Sequence, residues 1–143
     1  MDSPPNIWLC PATLVNLKKS ILQPYNGSYI WAFNGTRKKS WELLRIGDIC
    51  IFGNLDSKQN IGYKYLSYVT GKCILDNSDD TWPFRSPSGT SWKYAFTLTF
   101  PLEITINRSL FSEMRPLGHV QTQTMLKGEE ATKFKEFVNN LLP

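Results

Sequence analysis

The sequence predicts an α+β domain, a small curved mixed sheet or open barrel flanked by helices. Three observations predict it. Short β-branched and aromatic runs (SYIWAF, DICIF, GYKYLSYVTGKCIL and WKYAFTLTF) fill the middle of the chain and have strand composition. Apolar residues at helical spacing stand near both ends. With 143 residues, the chain is the length of a single domain and can bury a core. Helix, strands with short helical inserts, then helix is an α+β order.

Taken in order, PATLVNLKKSIL (11–22) puts Leu14, Leu17, Ile21 and Leu22 on one helical side and Lys18 and Lys19 on the other, before Gln23-Pro24. SYIWAF (28–33) follows Asn26-Gly27 and reads as a strand. KSWELL (39–44) is a helical turn with Ser40 as its expected cap. Arg45-Ile46-Gly47-Asp48 turns the chain into a buried strand, DICIF (48–52). After the polar GNLDSKQN, residues 62–75 alternate as a long strand bent at Gly71. NSDDTWPFRSPSGTS (77–91) is a long loop by composition, and such loops in compact domains are often functional. WKYAFTLTF (92–100) is a strand stopped by Pro101, and NRSLFSEM (107–114) a short helix. In GEEATKFKEFVNNLL (128–142), Ala131, Phe134, Val138 and Leu141 line one helical face, and Glu129 and Glu130 suit the start of the dipole.

Composition narrows the function classes. The chain is 41% hydrophobic and 20% charged, ordinary for a globular protein, but 13% aromatic with five Trp. No apolar run approaches the roughly 20 residues of a membrane-spanning helix, so no membrane partner is expected. MDSPPNIWLC lacks the basic start and apolar stretch of a signal peptide; a cytoplasmic location is expected, nuclear or cytoplasmic in a eukaryote. Cys10, Cys50 and Cys73 are scattered and odd in number, against a disulfide framework. The net charge is +4, and residues 1–71 carry eight Lys/Arg against four Asp/Glu, whereas residues 72–143 carry eight of each. The excess around Lys18, Lys19, Arg37, Lys38, Lys39, Arg45 and Lys64 suits an anionic partner. A solvated surface is the plainer reading of so small a charge.

Catalytic signals are weak. His119 is the lone histidine, with no nucleophile motif beside it. The cysteines and His119 lack zinc-ligand spacing. No GxGxxG or phosphate-loop motif is present, and Asp79-Asp80 reads as turn chemistry. A binding domain with no catalytic residues, metal or cofactor is expected.

In WAFNGTRKKSW (31–41), two tryptophans bracket Asn34-Gly35 and the basic run Arg37-Lys38-Lys39. Taken singly, each Trp of the chain reads as core. Taken together, Trp31, Trp82 and Trp92 could sandwich a flat base, at roughly 1–3 kcal/mol per stacked base. The cations would then hold phosphates, giving affinity without sequence information.

SYIWAFNGTRKKSWELL resembles the start of a YTH domain, where a strand ending in Trp precedes a polar stretch and a Leu-containing helix. DICIFGN with GYKYLSYVTGKC, then DTWPFRSPSGTSWKYAFTLTFPLEI, then LFSEMRPLGHVQTQTMLKGEEATKFKEFV resemble the YTH elements that follow. RIGDICIF fits the related EVE domains of the PUA-like superfamily equally well. The resemblance covers residues 28 to 140 by order of elements. It makes 1–143 a single YTH-like, PUA-like domain, with 1–27 an N-terminal extension containing the short helix. It implies an aromatic cage of Trp31, Trp82 and Trp92 for a methylated base. Arg37, Lys38, Lys39, Arg85 and Lys93 are the expected backbone contacts, and Asn34 and Ser91 the polar pocket. Trp8 and Trp41 match no cage position and are assigned to core or helix packing.

The implied function is recognition of a flipped N6-methyladenine in DNA, as in the target-reading N-terminal module of McrB-type restriction systems. Such a module would be monomeric alone and would work with further domains or subunits. Three alternatives stay open: a reader of N6-methyladenosine in RNA, an EVE-like reader of modified cytosine, and a protein-interaction domain whose tryptophans are core.

Overall fold

The computed structural model describes residues 4–12, 17, 29–33, 37–54, 62–74, 94–115 and 123–141. Seven strands and three helices run through them: β1 (Ile7–Ala12), β2 (Tyr29–Phe33), α1 (Lys38–Leu43), β3 (Ile49–Asn54), β4 (Tyr63–Ile74), β5 (Tyr94–Leu98), β6 (Leu102–Ile106), α2 (Arg108–Met114), β7 (Thr124–Met125) and α3 (Gly128–Leu141). The strands form one curved, unclosed mixed sheet in the order β2-β5-β4-β3-β1-β7, with β6 also on β4. β1 runs parallel to β3, Ile7 beside Ile49; the other described pairings are antiparallel.

β4 is the spine. Along one side, its first half pairs with β6 and its second half with β5. β5 and β6 are therefore two pieces of one neighbour, broken at Thr99-Phe100-Pro101. Pro101 has no N–H for the ladder. At the break, Thr99 N donates to Tyr68 O, and Thr99 Oγ1 accepts from Tyr68 N, each at 3.0 Å. The register of β4 against β5 shifts between Val69 and Gly71, at the bend expected from Gly71. A Cβ at Gly71 would stand 2.9 Å from Thr97 Oγ1.

Alternation along the strands divides the core in two. Ile7, Leu9, Ile49 and Ile51 face one way, against Phe111 of α2 and Phe134 and Val138 of α3. Trp8, Cys10, Cys50 and Phe52 face the other, with Phe33, Trp31 and Phe96, and with Trp41 of α1 packed against them. Each fully buried large apolar side chain contributes about 1.5–3 kcal/mol.

The RIGD turn into β3 is built around Asp48, buried to 1% exposure. Its carboxylate accepts from Trp8 Nε1 and Asn6 N at 3.0 Å and from Arg45 N at 2.9 Å. Gly47 takes φ 94°, a conformation glycine adopts without strain. In α2, Asn107 Oδ1 caps the helix by accepting from Leu110 N. Arg115 and Glu130 pair between α2 and α3. On α3, Phe134 and Val138 are buried and Ala131 half-buried, whereas Leu141 is exposed.

The expected strands around β2, β3, β4 and β5 and the helices around α1, α2 and α3 are present. Two details differ. Ser40 is not the cap of α1: the helix starts at Lys38 with Arg37 at the cap position and no side-chain cap. IWLCPA, which the sequence did not predict as a strand, is a central strand of the sheet. Of the helix expected over 11–22, Pro11 and Ala12 belong to β1 instead, and beyond them only Leu17, buried and helical, is among the described residues.

Candidate nucleic-acid interface

Helix α1 has six residues, too few to stand alone in water. Side chains fix it at three points. At its start, Arg37 Nη2 donates to Gln123 O at 2.9 Å and to Ser40 Oγ at 3.2 Å. In its middle, Trp41 Nε1 donates to Ala95 O on β5 at 2.8 Å. At its end, Lys72 of β4 reaches across and donates from Nζ to Leu44 O at 2.8 Å and to Glu42 O at 3.4 Å. The same ammonium sits 4.4 Å from the Trp41 ring centroid, a cation–π contact. Burial lowers the Lys72 pKa, and the nearby Glu42 and Asp48 carboxylates pull it back up.

The helix carries Lys38 and Lys39 on the surface, both exposed. Lys38 Nζ lies 3.8 Å from Glu42 Oε1. Such an exposed i,i+4 pair is worth about 0.3–0.5 kcal/mol, so a phosphate can replace it at little cost. Arg37 differs. It is half-buried and its guanidinium holds Gln123, so its position is structural as well as basic.

Gln123 also donates from Nε2 to Ala32 O at 3.3 Å. β2 and β7 are the two ends of the strand order, so Gln123 and Arg37 stitch the sheet's open seam through side chains.

The tryptophans divide differently from expectation. Trp8 is core, 2% exposed and bonded to Asp48, as the sequence suggested. Trp31 is also buried, at 8% exposure, with its ring edge-on to Phe52 at 5.3 Å. Trp41 is the half-buried one. Tyr94, tilted at 5.3 Å, and the Lys72 ammonium pack against it, so Trp41 anchors its helix, as the sequence suggested.

Asn34, Trp82, Arg85, Ser91, Trp92 and Lys93 lie outside the described residues. Their flanking positions do meet. Phe33, which precedes Asn34, is the ladder partner of Tyr94, which follows Lys93. Ile74, where the chain leaves β4 toward Trp82, pairs with the same Tyr94. The two predicted contact segments therefore join the sheet at one end, next to α1. Sequence reasoning missed Lys72 and Gln123. Lys72 sits in a strand pattern that gives no hint of the helix it caps, and Gln123 has no local signal. Among the described residues, no group of three or more His, Cys, Asp or Glu could hold a metal ion.

No protein-family model matches the sequence, and no curated protein matches it either. Solved structures do match in fold. The N-terminal domain of Thermococcus gammatolerans McrB, bound to m5C DNA, aligns with TM-score 0.62 at 14% identity, over 96% of this chain and 99% of that one. A mutant ASCH protein from Zymomonas mobilis aligns with TM-score 0.66 at 15% identity, over 95% and 99%. Human THYN1, in complex with 5-methylcytosine-containing DNA, aligns with TM-score 0.60 at 16% identity, over 95% and 96%. Likeness at this identity is a likeness of fold, and the fold of this chain, a curved, unclosed mixed sheet flanked by helices, is the one these solved structures share along nearly their whole length.

Proposed function

We propose that this chain is a non-enzymatic module that reads a methylated base in DNA, as the target-recognition domain of a McrB-like restriction system. One observation carries the reading: two solved proteins that share this fold along nearly its whole length are bound to DNA containing 5-methylcytosine. The exposed Lys38 and Lys39 beside the end of the sheet from which residues 34 and 75–93 depart support it. The same neighbours make 5-methylcytosine the first candidate base, ahead of the N6-methyladenine that the YTH resemblance implied.

The base would be flipped out of the duplex, at a cost of a few kcal/mol. Trp82 and Trp92 would receive it over the largely buried Trp31, and Arg85 and Lys93 would join Lys38 and Lys39 on the phosphates. Burying one methyl group contributes roughly 0.8 kcal/mol by transfer, and contact with more than one ring raises that.

Binding titrations of one duplex carrying 5-methylcytosine, N6-methyladenine or neither, with matched RNA, test the proposal. A modified duplex should bind about tenfold tighter than the unmodified one, a gap of about 1.4 kcal/mol. Trp31→Phe, which keeps an aromatic ring in the core, should shrink that gap and leave the weak, salt-sensitive binding nearly intact. Equal affinity for every duplex would refute base reading. Preference for N6-methyladenine would restore the YTH-like choice of base, and preference for modified RNA would move the partner from DNA to RNA.

A further inference from the structure

Lys72 lies on β4, two strands from β2, yet it closes the end of α1. The last carbonyls of a helix lack intrahelical partners, and a cation there also meets the negative end of the helix dipole. Lys72 Nζ takes both roles at once, bonding Leu44 O and Glu42 O while packing over Trp41. Trp41 in turn is pinned to Ala95 O. With two carbonyls and an indole ring as partners, the Lys72 ammonium is committed to the protein. Lys38 and Lys39, one turn away, are exposed.

We infer that Lys72 is a positioning residue for nucleic-acid binding: by capping α1 and bracing Trp41, it holds the helix in the pose that presents Lys38 and Lys39 to the phosphate backbone. The inference rests on the nucleic-acid-binding reading above. It separates two roles that a count of positive charge merges. Lys38 and Lys39 meet phosphate, and Lys72 acts through them.

The distinguishing quantity is the salt dependence of binding to unmethylated duplex DNA, whose log–log slope falls by about 0.9 per lost phosphate contact. Lys72→Met keeps the apolar stem and removes the cap; Lys72→Gln is the second variant if the first is unstable. Both are compared with Lys72→Arg, with the Lys38→Ala/Lys39→Ala pair, and with that pair combined with Lys72→Met. Thermal melts establish that each variant is folded. Lys72→Met should lower the slope by about two units, because both contacts drop out together. Lys72→Arg should restore it, and Lys72→Met should lower it no further in the double-alanine background. A fall of about one unit that persists in that background would make Lys72 a phosphate contact itself and overturn the inference. An unchanged slope would overturn it too. If the wild-type protein shows no salt-dependent binding to DNA, the nucleic-acid reading falls and takes the inference with it. In the first two outcomes that reading stands and the inference alone fails.

Discussion

Asp48 concentrates more structural consequence than any other polar side chain described here. Its carboxylate joins Asn6 and Trp8 of the N-terminal segment to Arg45 of the turn, across about forty residues of sequence. A buried carboxylate is stable only when fully partnered, and here three N–H donors partner it. Asp48→Ala would leave those donors without an acceptor in a dry site. Leaving a buried donor without an acceptor costs about 1–3 kcal/mol, which urea unfolding should register as a clear drop in midpoint. Asp48→Asn retains one carbonyl acceptor and should lose less. Equal loss from the two would mean that shape, and not hydrogen bonding, fixes the turn. The residue scale also separates the cations of the basic run. Arg37, Lys38 and Lys39 are equivalent by composition, but Arg37 is bonded to Gln123, 86 positions away, and the two lysines are exposed. No local pattern could have made that distinction.

Among the elements, β4 and β6 approach closely where Gly62 leads into β4. A Cβ at Gly62 would stand 1.6 Å from Ile106 O, and a backbone atom cannot swing aside as a side-chain tip can. Gly62→Ala should push β4 off β6 and cost about 1–3 kcal/mol or more. Gly47→Ala meets nothing within 4 Å and suffers only its positive φ, so it should lose less. Thermal melts of the pair rank the two effects, and the reverse order would show that the strands reseat without strain. The elements that the sequence announced are those whose signal is local. β2, β3 and β5 carry β-branched and aromatic runs, β4 alternates with a glycine at its bend, and α3 repeats its apolar residues every turn. β1 carried no such mark. It is buried on both faces, so its apolar residues do not alternate, and Pro11 argues against a strand. β7 has two residues and exists only through its pairing with Trp8 and Leu9. Of the candidate site, less was legible. The basic run and the aromatic excess pointed to α1 and its surroundings, but Lys72 and Gln123 act through tertiary contacts that leave no trace in the neighbouring sequence.

Over the whole molecule, the sheet is an open arc whose ends meet at Gln123. β1 lies inside that arc with β3 on one edge and β7 on the other, and Leu126 N donates to Ile7 O at 2.8 Å. That placement has a consequence for biosynthesis. β1 leaves the ribosome before every other described strand, and its second partner emerges more than a hundred residues later. At about 5–20 residues per second, the wait is on the order of 6–20 s. Through that interval IWLC shows two apolar faces and an unpaired edge, the state most open to mispairing with another chain. A chain ended before residue 123 would hold β1 in that condition permanently. On expression it should collect in the insoluble fraction or on chaperones, while the 143-residue chain stays in solution. A soluble, monomeric truncated chain would show that β3 alone is enough to shelter the strand. Nascent chains of this fold would then be guarded by their first pairing, and β7 and α3 would serve the finished domain alone.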